Sequence, residues 1–141
     1  MNRVILCGRL AARPKSSHTP CGIPVEEFSL RVHREGPSDV QPETAPTDEI
    51  PCFAFRNVAR LLTEWGERSL RLNLQGCLRT APQPAPIRLL PVLYVLVDRA
   101  YFVDPLLDPA LPVREAADTE EPPAVPHLPL AAQAEAAQLL N

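Results

Sequence analysis

Apolar and polar positions along this chain change period several times, and each change marks an element. Phe28, Leu30 and Val32 fall on one side of a two-residue period, with Glu27, Ser29, Arg31 and His33 on the other. Successive side chains of an extended strand point to opposite faces, so residues 25–34 read as a half-buried antiparallel strand. Upstream, residues 3–10 alternate more loosely around the run VILC and hold Gly8 in their interior, which predicts a first strand with a bulge or a close backbone approach. Residues 11–22 carry Pro14, two serines, Pro20 and Gly22, the turn chemistry of a hairpin connection. Residues 35–48, with three prolines, four acids and no apolar period, read as a long mobile loop. A third strand follows over residues 50–55. The period then changes to that of a helix. Val58, Leu61, Leu62 and Trp65 recur at i, i+3, i+4 and i+7, which predicts a helix over 56–66 with one buried stripe, Trp65 in the core and Gly66 as the C-cap. Leu70, Leu72 and Leu74 alternate with Arg71, Asn73 and Gln75 in a fourth strand that runs to Arg79 and is bulged at Gly76. After a proline-punctuated connection over 81–91, residues 92–103 form a fifth strand with a kink near Asp98.

Composition then separates a body from a tail. Residues 105–141 hold seven prolines, few aromatics and many acids, too little apolar surface to order a backbone, and are expected to be disordered or weakly helical at 130–140. A chain of 141 residues is long enough for one domain with its own core, here 1–104, plus that tail, and too short for two full domains. The charge follows the same division: the body has 13 Lys/Arg against 11 Asp/Glu, a net +2, and the tail one against six, a net −5. The acidic balance of the whole chain is therefore no guide to the body's partners. Five strands with one helix between the third and fourth is the element order of the OB-fold, a mainly β, five-stranded Greek-key barrel, though periodicity alone leaves it one of several small α+β barrels.

Several classes of function are set aside on the same grounds. The apolar run after Arg3 is too short for a secretory signal, and the longest run, 89–97, is about half of the ~18 residues that span a bilayer. A cytoplasmic protein is expected, without a membrane partner. Cys7, Cys21, Cys52 and Cys77 lie far apart, without metal-ligand spacing, and three of them fall in strands where a thiol acts as a small apolar filler. No metal site or cofactor is expected. A thiol site built from Cys52 with His33 or His18 lacks an orienting carboxylate, so no catalytic residue is assigned.

Five segments in order carry a family likeness: residues 1–10 (MNRVILCGRL) with 19–22 (TPCG), 28–30 (FSL), 50–56 (IPCFAFR) and 75–80 (QGCLRT). In register across residues 1–103, they resemble the bacterial single-stranded DNA-binding proteins. The resemblance implies an OB-fold that packs into homodimers or homotetramers and holds single-stranded DNA without strong sequence preference, in replication, recombination or repair, in the nucleoid-associated cytoplasm. Such binding needs cations along the phosphates and flat side chains on which bases stack. Phe55 falls where the family places a stacking aromatic at the end of strand three, and Phe53 shares its strand face; the alternative for both is barrel core. Arg3, Arg9, Arg31, Arg56, Arg71 and Arg79 are the phosphate candidates, since arginine pairs phosphate bidentately and also stacks on bases. His33 extends the face of Ser29 and Arg31.

The chain also departs from the family. Tryptophans of better-known members are replaced near Gly36, Glu49 and Gln83, the hairpin between strands four and five is reduced to APQPAP, and the acidic recruitment peptide ending in Phe is absent. Fewer stacking platforms and cations predict weaker binding with a shallower salt slope. The turn PCGIP at 20–24 also resembles that of the primosomal replication protein N family, which implies an alternative: a dimeric adaptor for replication proteins with weak DNA affinity. Adjacent acids sharpen the expectation. Glu26, with the parity of Phe28, is expected at the barrel rim with its charge in water; Glu27, with the parity of Arg31, is expected on the binding face beside an arginine.

Overall fold

A computed structural model describes residues 1–35, 45–66, 71–81, 92–103 and 114–121. In chain order the elements are β1 (Val4–Leu10), β2 (Lys15–His18), β3 (Pro24–His33), β4 (Thr47–Phe55), α1 (Arg56–Trp65), β5 (Arg71–Ala81), β6 (Val92–Val103) and β7 (Arg114–Ala117). The strands follow the order β1-β5-β6-β4-β3, and β1 closes on β3 through Arg9 opposite Arg31 and Leu10 opposite Leu30. This is the closed five-stranded barrel of an OB-fold, with its helix between β4 and β5. All neighbours in the ring are antiparallel except β4 and β6, where Cys52 to Ala54 run parallel to Val95 to Val97.

The periodicity of each segment explains its place. Phe28 and Leu30 on β3, Cys52 and Ala54 on β4, Leu72 and Leu74 on β5, and Val95 and Val97 on β6 all point inward. Val58, Leu61 and Leu62 of α1 close the barrel, and Trp65 packs against this core while remaining partly exposed. Leu30, Leu62, Leu72 and Leu74 are fully buried, and truncating any one to alanine is worth about 2–5 kcal/mol. Gly8 occupies a close approach: a Cβ there would stand 2.3 Å from the carbonyl oxygen of Arg31, so β1 reaches β3 only because no side chain intervenes. The bulge expected at Gly76 is present as a register shift between Gln75 and Gly76 against β6. Gly66 ends the helix, its N–H donating to the Leu62 carbonyl at 2.7 Å.

Two strands lie where none is expected. Residues 15–18, read as turn, form β2, which continues along the same edge of β3 that β1 leaves, with Ser16 opposite Glu26 and His18 opposite Pro24. All four β2 residues are exposed, so their sequence carries no period to read. The hairpin from β2 turns at 19–22, where the Gly22 N–H donates to the Thr19 carbonyl at 2.8 Å and the Thr19 hydroxyl accepts from the Ile23 N–H at 3.1 Å. Within the proline-rich tail, β7 pairs antiparallel with the far end of β6, Arg99 facing Ala117 and Phe102 facing Arg114. The readings of 36–44, 82–91 and 122–141, among them the weak helix at 130–140 and the positions Gly36 and Gln83, lie outside the described residues.

The unexpected β2 overturns the expectation for Glu26. That carboxylate is only 2% exposed, because β2 and α1 cover the place where the rim was expected. Ser16 Oγ donates to its Oε1, and Thr63 Oγ1 lies 2.6 Å from the same oxygen, while Oε2 has no hydrogen-bond partner among the described residues. Glu26 therefore ties β2 and α1 to β3 and does not reach water. Glu27 remains partly exposed, opposite Lys15 and Phe53.

Candidate nucleic-acid interface

The outer face of the β3–β4–β6 sheet carries a second apolar cluster, back to back with the core. Val25, Phe53 and Phe55 are its buried members, with Ile23, Tyr94 and Leu96 packed against them. Phe53 and Phe55 point away from Cys52 and Ala54, so neither ring belongs to the barrel core, the alternative considered from the sequence. Neither ring is open to solvent either: each is 3% exposed. Phe53 meets the Tyr94 ring edge-on, with centroids 5.1 Å apart and planes at 75°. Burial also pushes the Tyr94 hydroxyl pKa up.

Phe55 lines one side of a cleft of about 430 Å3, the volume range of small-molecule sites. Arg56 and Arg79 line it with Cys77, Leu96 and Asp98, and residues 118–121 border its other side. Of the residues singled out in the sequence, this cleft brings together Phe55, Arg56 and Arg79, with Phe53 behind them. Arg56 is unusual among them. It opens α1 at φ 49°, in the left-handed region that side-chain-bearing residues rarely adopt, and backbone strain of this kind concentrates at functional sites.

A different set of arginines meets elsewhere on the barrel. Arg9 of β1 lies directly opposite Arg31 of β3 on one side and Arg71 of β5 on the other, so three exposed arginines cross three neighbouring strands in one row. With strands about 4.8 Å apart, the row spans roughly 10 Å. Like charges directly opposite one another across strands are destabilising, and an anion bound along the row relieves that repulsion. His33 is exposed two residues beyond Arg31 on the same face. Arg3 precedes β1 and joins neither group.

Acids temper this charge. Glu49, opposite Arg31 on β4, accepts from its guanidinium at 2.7 Å, and Asp48 holds Arg34 through contacts of 2.5–3.0 Å. The hydrogen bonds to Asp48 raise the Arg34 pKa, and the same contacts hold the Asp48 carboxyl below its ordinary value. Glu49 thus supplies a carboxylate that engages an arginine of the row. Sequence reading missed this pairing and the placement of residues 118–121 beside the cleft, because both depend on which strands become neighbours. The acid-rich run DTEE at 118–121 was the visible signal for the second.

The Cys52 thiol is fully buried and donates to the Ile50 carbonyl at 3.4 Å, and burial pushes its pKa up to about 12. It stays protonated at neutral pH and is unsuited to nucleophilic work. Among the described residues, no group of three His, Cys, Asp or Glu side chains is placed to hold a metal ion, and no helix is long and apolar enough to cross a membrane.

Comparison with known proteins agrees with this architecture. The chain is 31% identical over 80 residues to a single-stranded DNA-binding protein of Oceanobacillus iheyensis, covering 57% of this chain and 48% of that one. It is 34% identical over 80 residues to the corresponding protein of Bacillus cereus, covering 57% and 46%, and 26% identical over 102 residues to that of Fusobacterium nucleatum, covering 72% and 66%. The match thus spans about half the length of the first of these relatives. Residues 1–83, more than half of the chain, match the single-strand binding protein family, and the protein belongs to that family.

Proposed function

We propose that this protein binds single-stranded DNA without strong sequence preference, through the barrel body of residues 1–104. The observation that carries the reading is the cleft joining a sunken aromatic, Phe55, to Arg56 and Arg79 on the outside of an OB-fold barrel. Guanidinium groups there pair phosphates beside an apolar wall backed by the buried Phe55 ring, and neither feature reads a sequence. The transverse row of Arg31, Arg9 and Arg71 continues the phosphate path over the body, with His33 at its margin and Arg3 as an outlying contact. Family membership supports a place in replication, recombination or repair in the nucleoid-associated cytoplasm.

The same reading includes a homodimer or homotetramer. β1 pairs with β5 from Val4 to Arg9 but with β3 only at Arg9 and Leu10, so the other edge of Val4 to Gly8 has no strand partner among the described residues. Ile5 on that strand is 69% exposed. An open edge beside an exposed aliphatic side chain favours pairing with a second copy.

A second reading, an adaptor for replication proteins with weak DNA affinity, draws support from the acids: Arg31, Arg34 and Arg56 are each held by a carboxylate. Fluorescence anisotropy of labelled oligo-dT against duplex of equal length, read with solution mass, decides between them. Preferential oligo-dT binding that falls with salt is the expected result. Equal or absent binding to both nucleic acids would sink the first reading and leave the adaptor.

A further inference from the structure

Strand β6 carries one residue more than its partner. Val97 faces Gly76 and Arg99 faces Gln75, so Asp98 has no opposite number on β5. Burial records the same insertion: Val95 and Val97 belong to the barrel core, and so do Ala100 and Phe102, which leaves Asp98 and Arg99 both outside. Gly76 fits beside this bulge only for lack of a side chain, since a Cβ there would stand 2.1 Å from the Leu96 carbonyl oxygen. Bulges of this kind re-aim side chains and gather next to functional sites.

The two charges meet different surroundings. Arg99 faces Glu115 at 3.7 Å. Asp98 lines the cleft with Phe55, Arg56 and Arg79. Its backbone is held, because its carbonyl accepts from the Asp118 N–H at 2.7 Å, yet its exposed carboxylate has no hydrogen bond or ion pair among the described residues. Neutralising a neighbouring guanidinium does not account for it: Arg56 is met by Glu120 and by the Glu121 carbonyl. A carboxylate in a cleft for a polyanion lowers affinity by repulsion unless the ligand gives it hydrogen bonds. The phosphates and sugars along a DNA strand carry only acceptors, so the donors it can offer are on its bases.

Guanine offers the best match. Its N1–H and 2-amino group are adjacent donors that suit the two oxygens of one carboxylate, and its O6 and N7 are the acceptors that a guanidinium takes. Thymine presents a single N3–H between two carbonyl oxygens, which a carboxylate repels. Cytosine and adenine each set one amino group beside an acceptor nitrogen. We propose that Asp98 makes the cleft selective among bases, accepting from the Watson–Crick edge of a guanine while the guanidinium of Arg56 or Arg79 engages its acceptor edge. This rests on the reading of the cleft as the nucleic-acid interface. It adds a local bias to a binder whose arginine row is indifferent to sequence.

The test uses the full chain and labelled strands of equal length: oligo-dT, oligo-dT carrying isolated guanines, and the same strand with hypoxanthine at those places, which keeps the purine and its N1–H but lacks the 2-amino group. Anisotropy titrations are expected to show about 5- to 10-fold tighter binding of the guanine strand than of oligo-dT, the low end of what a bidentate contact to a base discriminates, with most of that gain lost for hypoxanthine. Asp98→Asn removes the charge and replaces one acceptor by a donor. Oligo-dT should bind this variant more tightly than wild type, and the guanine-to-thymine ratio should fall to within about 2-fold of one. Repulsion alone would move both strands together and leave the ratio unchanged. Glu64→Gln, which removes one charge from the exposed face of α1, should keep the wild-type ratio. If wild type binds all three strands equally, if hypoxanthine keeps the full gain as purine stacking would, or if Asp98→Asn keeps the ratio, the base contact is overturned while the interface stands. Absence of binding of any strand by wild type overturns the interface and the base contact with it.

Discussion

Arginines on this barrel occur in two settings that differ in what surrounds them. In the row across β3, β1 and β5, Arg31, Arg9 and Arg71 stand side by side on a regular sheet, and Glu49 engages one end. In the cleft, Arg56 and Arg79 stand beside a sunken aromatic, and Arg56, in a left-handed conformation, meets one carboxylate and one carbonyl from far along the chain. The row has charge without an aromatic neighbour; the cleft has an aromatic ring sunk in its wall, but acids share its space. A single-strand binder draws on both charge and stacking; the row supplies charge alone, and the cleft sets guanidiniums beside an aromatic. The row is suited to govern salt dependence, and the cleft to govern the affinity that remains when salt has screened the phosphates.

The largest expected effect comes from loosening the barrel beneath both regions. Cys52 lies on β4 directly behind the Phe53 and Phe55 face, and its folded-state pKa, about 12, is raised above the ordinary 9.0 by burial. The stability due to the protonated buried thiol is fully present below the unfolded value and is lost as pH rises toward the folded one. Unfolding free energy should therefore fall by roughly 1 kcal/mol per pH unit as pH rises from near 9 toward 12. Denaturant titrations across that range check it, and Cys52→Ala should remove this contribution to the slope. A Cys52→Ala variant with the same slope as wild type would show that the thiol is not sealed.

Phe55→Leu tests the cleft alone. Leucine preserves most of the apolar packing but offers no face to a base, so if a bound strand uncovers this buried ring, oligo-dT affinity should fall by about 5- to 100-fold with little change in salt slope, each stacked base being worth roughly 1–3 kcal/mol. The complementary test is Arg71→Gln in the row. It should lower affinity uniformly across oligonucleotide sequences and reduce the slope of log K against log salt by about one. If the two variants shift slope and affinity alike, the separation between the regions fails.

Glu49→Gln has the smallest expected effect and the opposite sign. Removing the carboxylate from Arg31 returns a cation to the row, which should tighten oligo-dT binding by about 2- to 4-fold at low salt and have almost no effect at high salt, as for any exposed ion pair. A titration at two ionic strengths measures it. Tightening that persists at high salt would mean that Glu49 acts through something other than charge.

The sequence by itself determined the barrel. Alternation placed Phe28, Leu30, Leu72 and Leu74 inside, the 3.6-residue stripe placed Val58, Leu61 and Leu62 against them, and Gly8 and Gly76 marked a close approach and a bulge. These features were legible because burial imposes a period on each segment separately. Phe55, Arg56 and Arg79 were legible as candidates from residue type and family likeness, but their meeting in one cleft was not. Tertiary structure alone decided what depends on neighbours distant in the chain. The polar run KSSH became a strand because β3 had an open edge beyond β1, and its arrival buried Glu26, whose parity gave no warning of a cover. Arg9, Arg31 and Arg71 became a row through strand register, and Asp118 reached the start of α1 through the β6–β7 ladder. Local periodicity records which face of an element is dry; it does not record which charge from elsewhere will stand opposite the wet one.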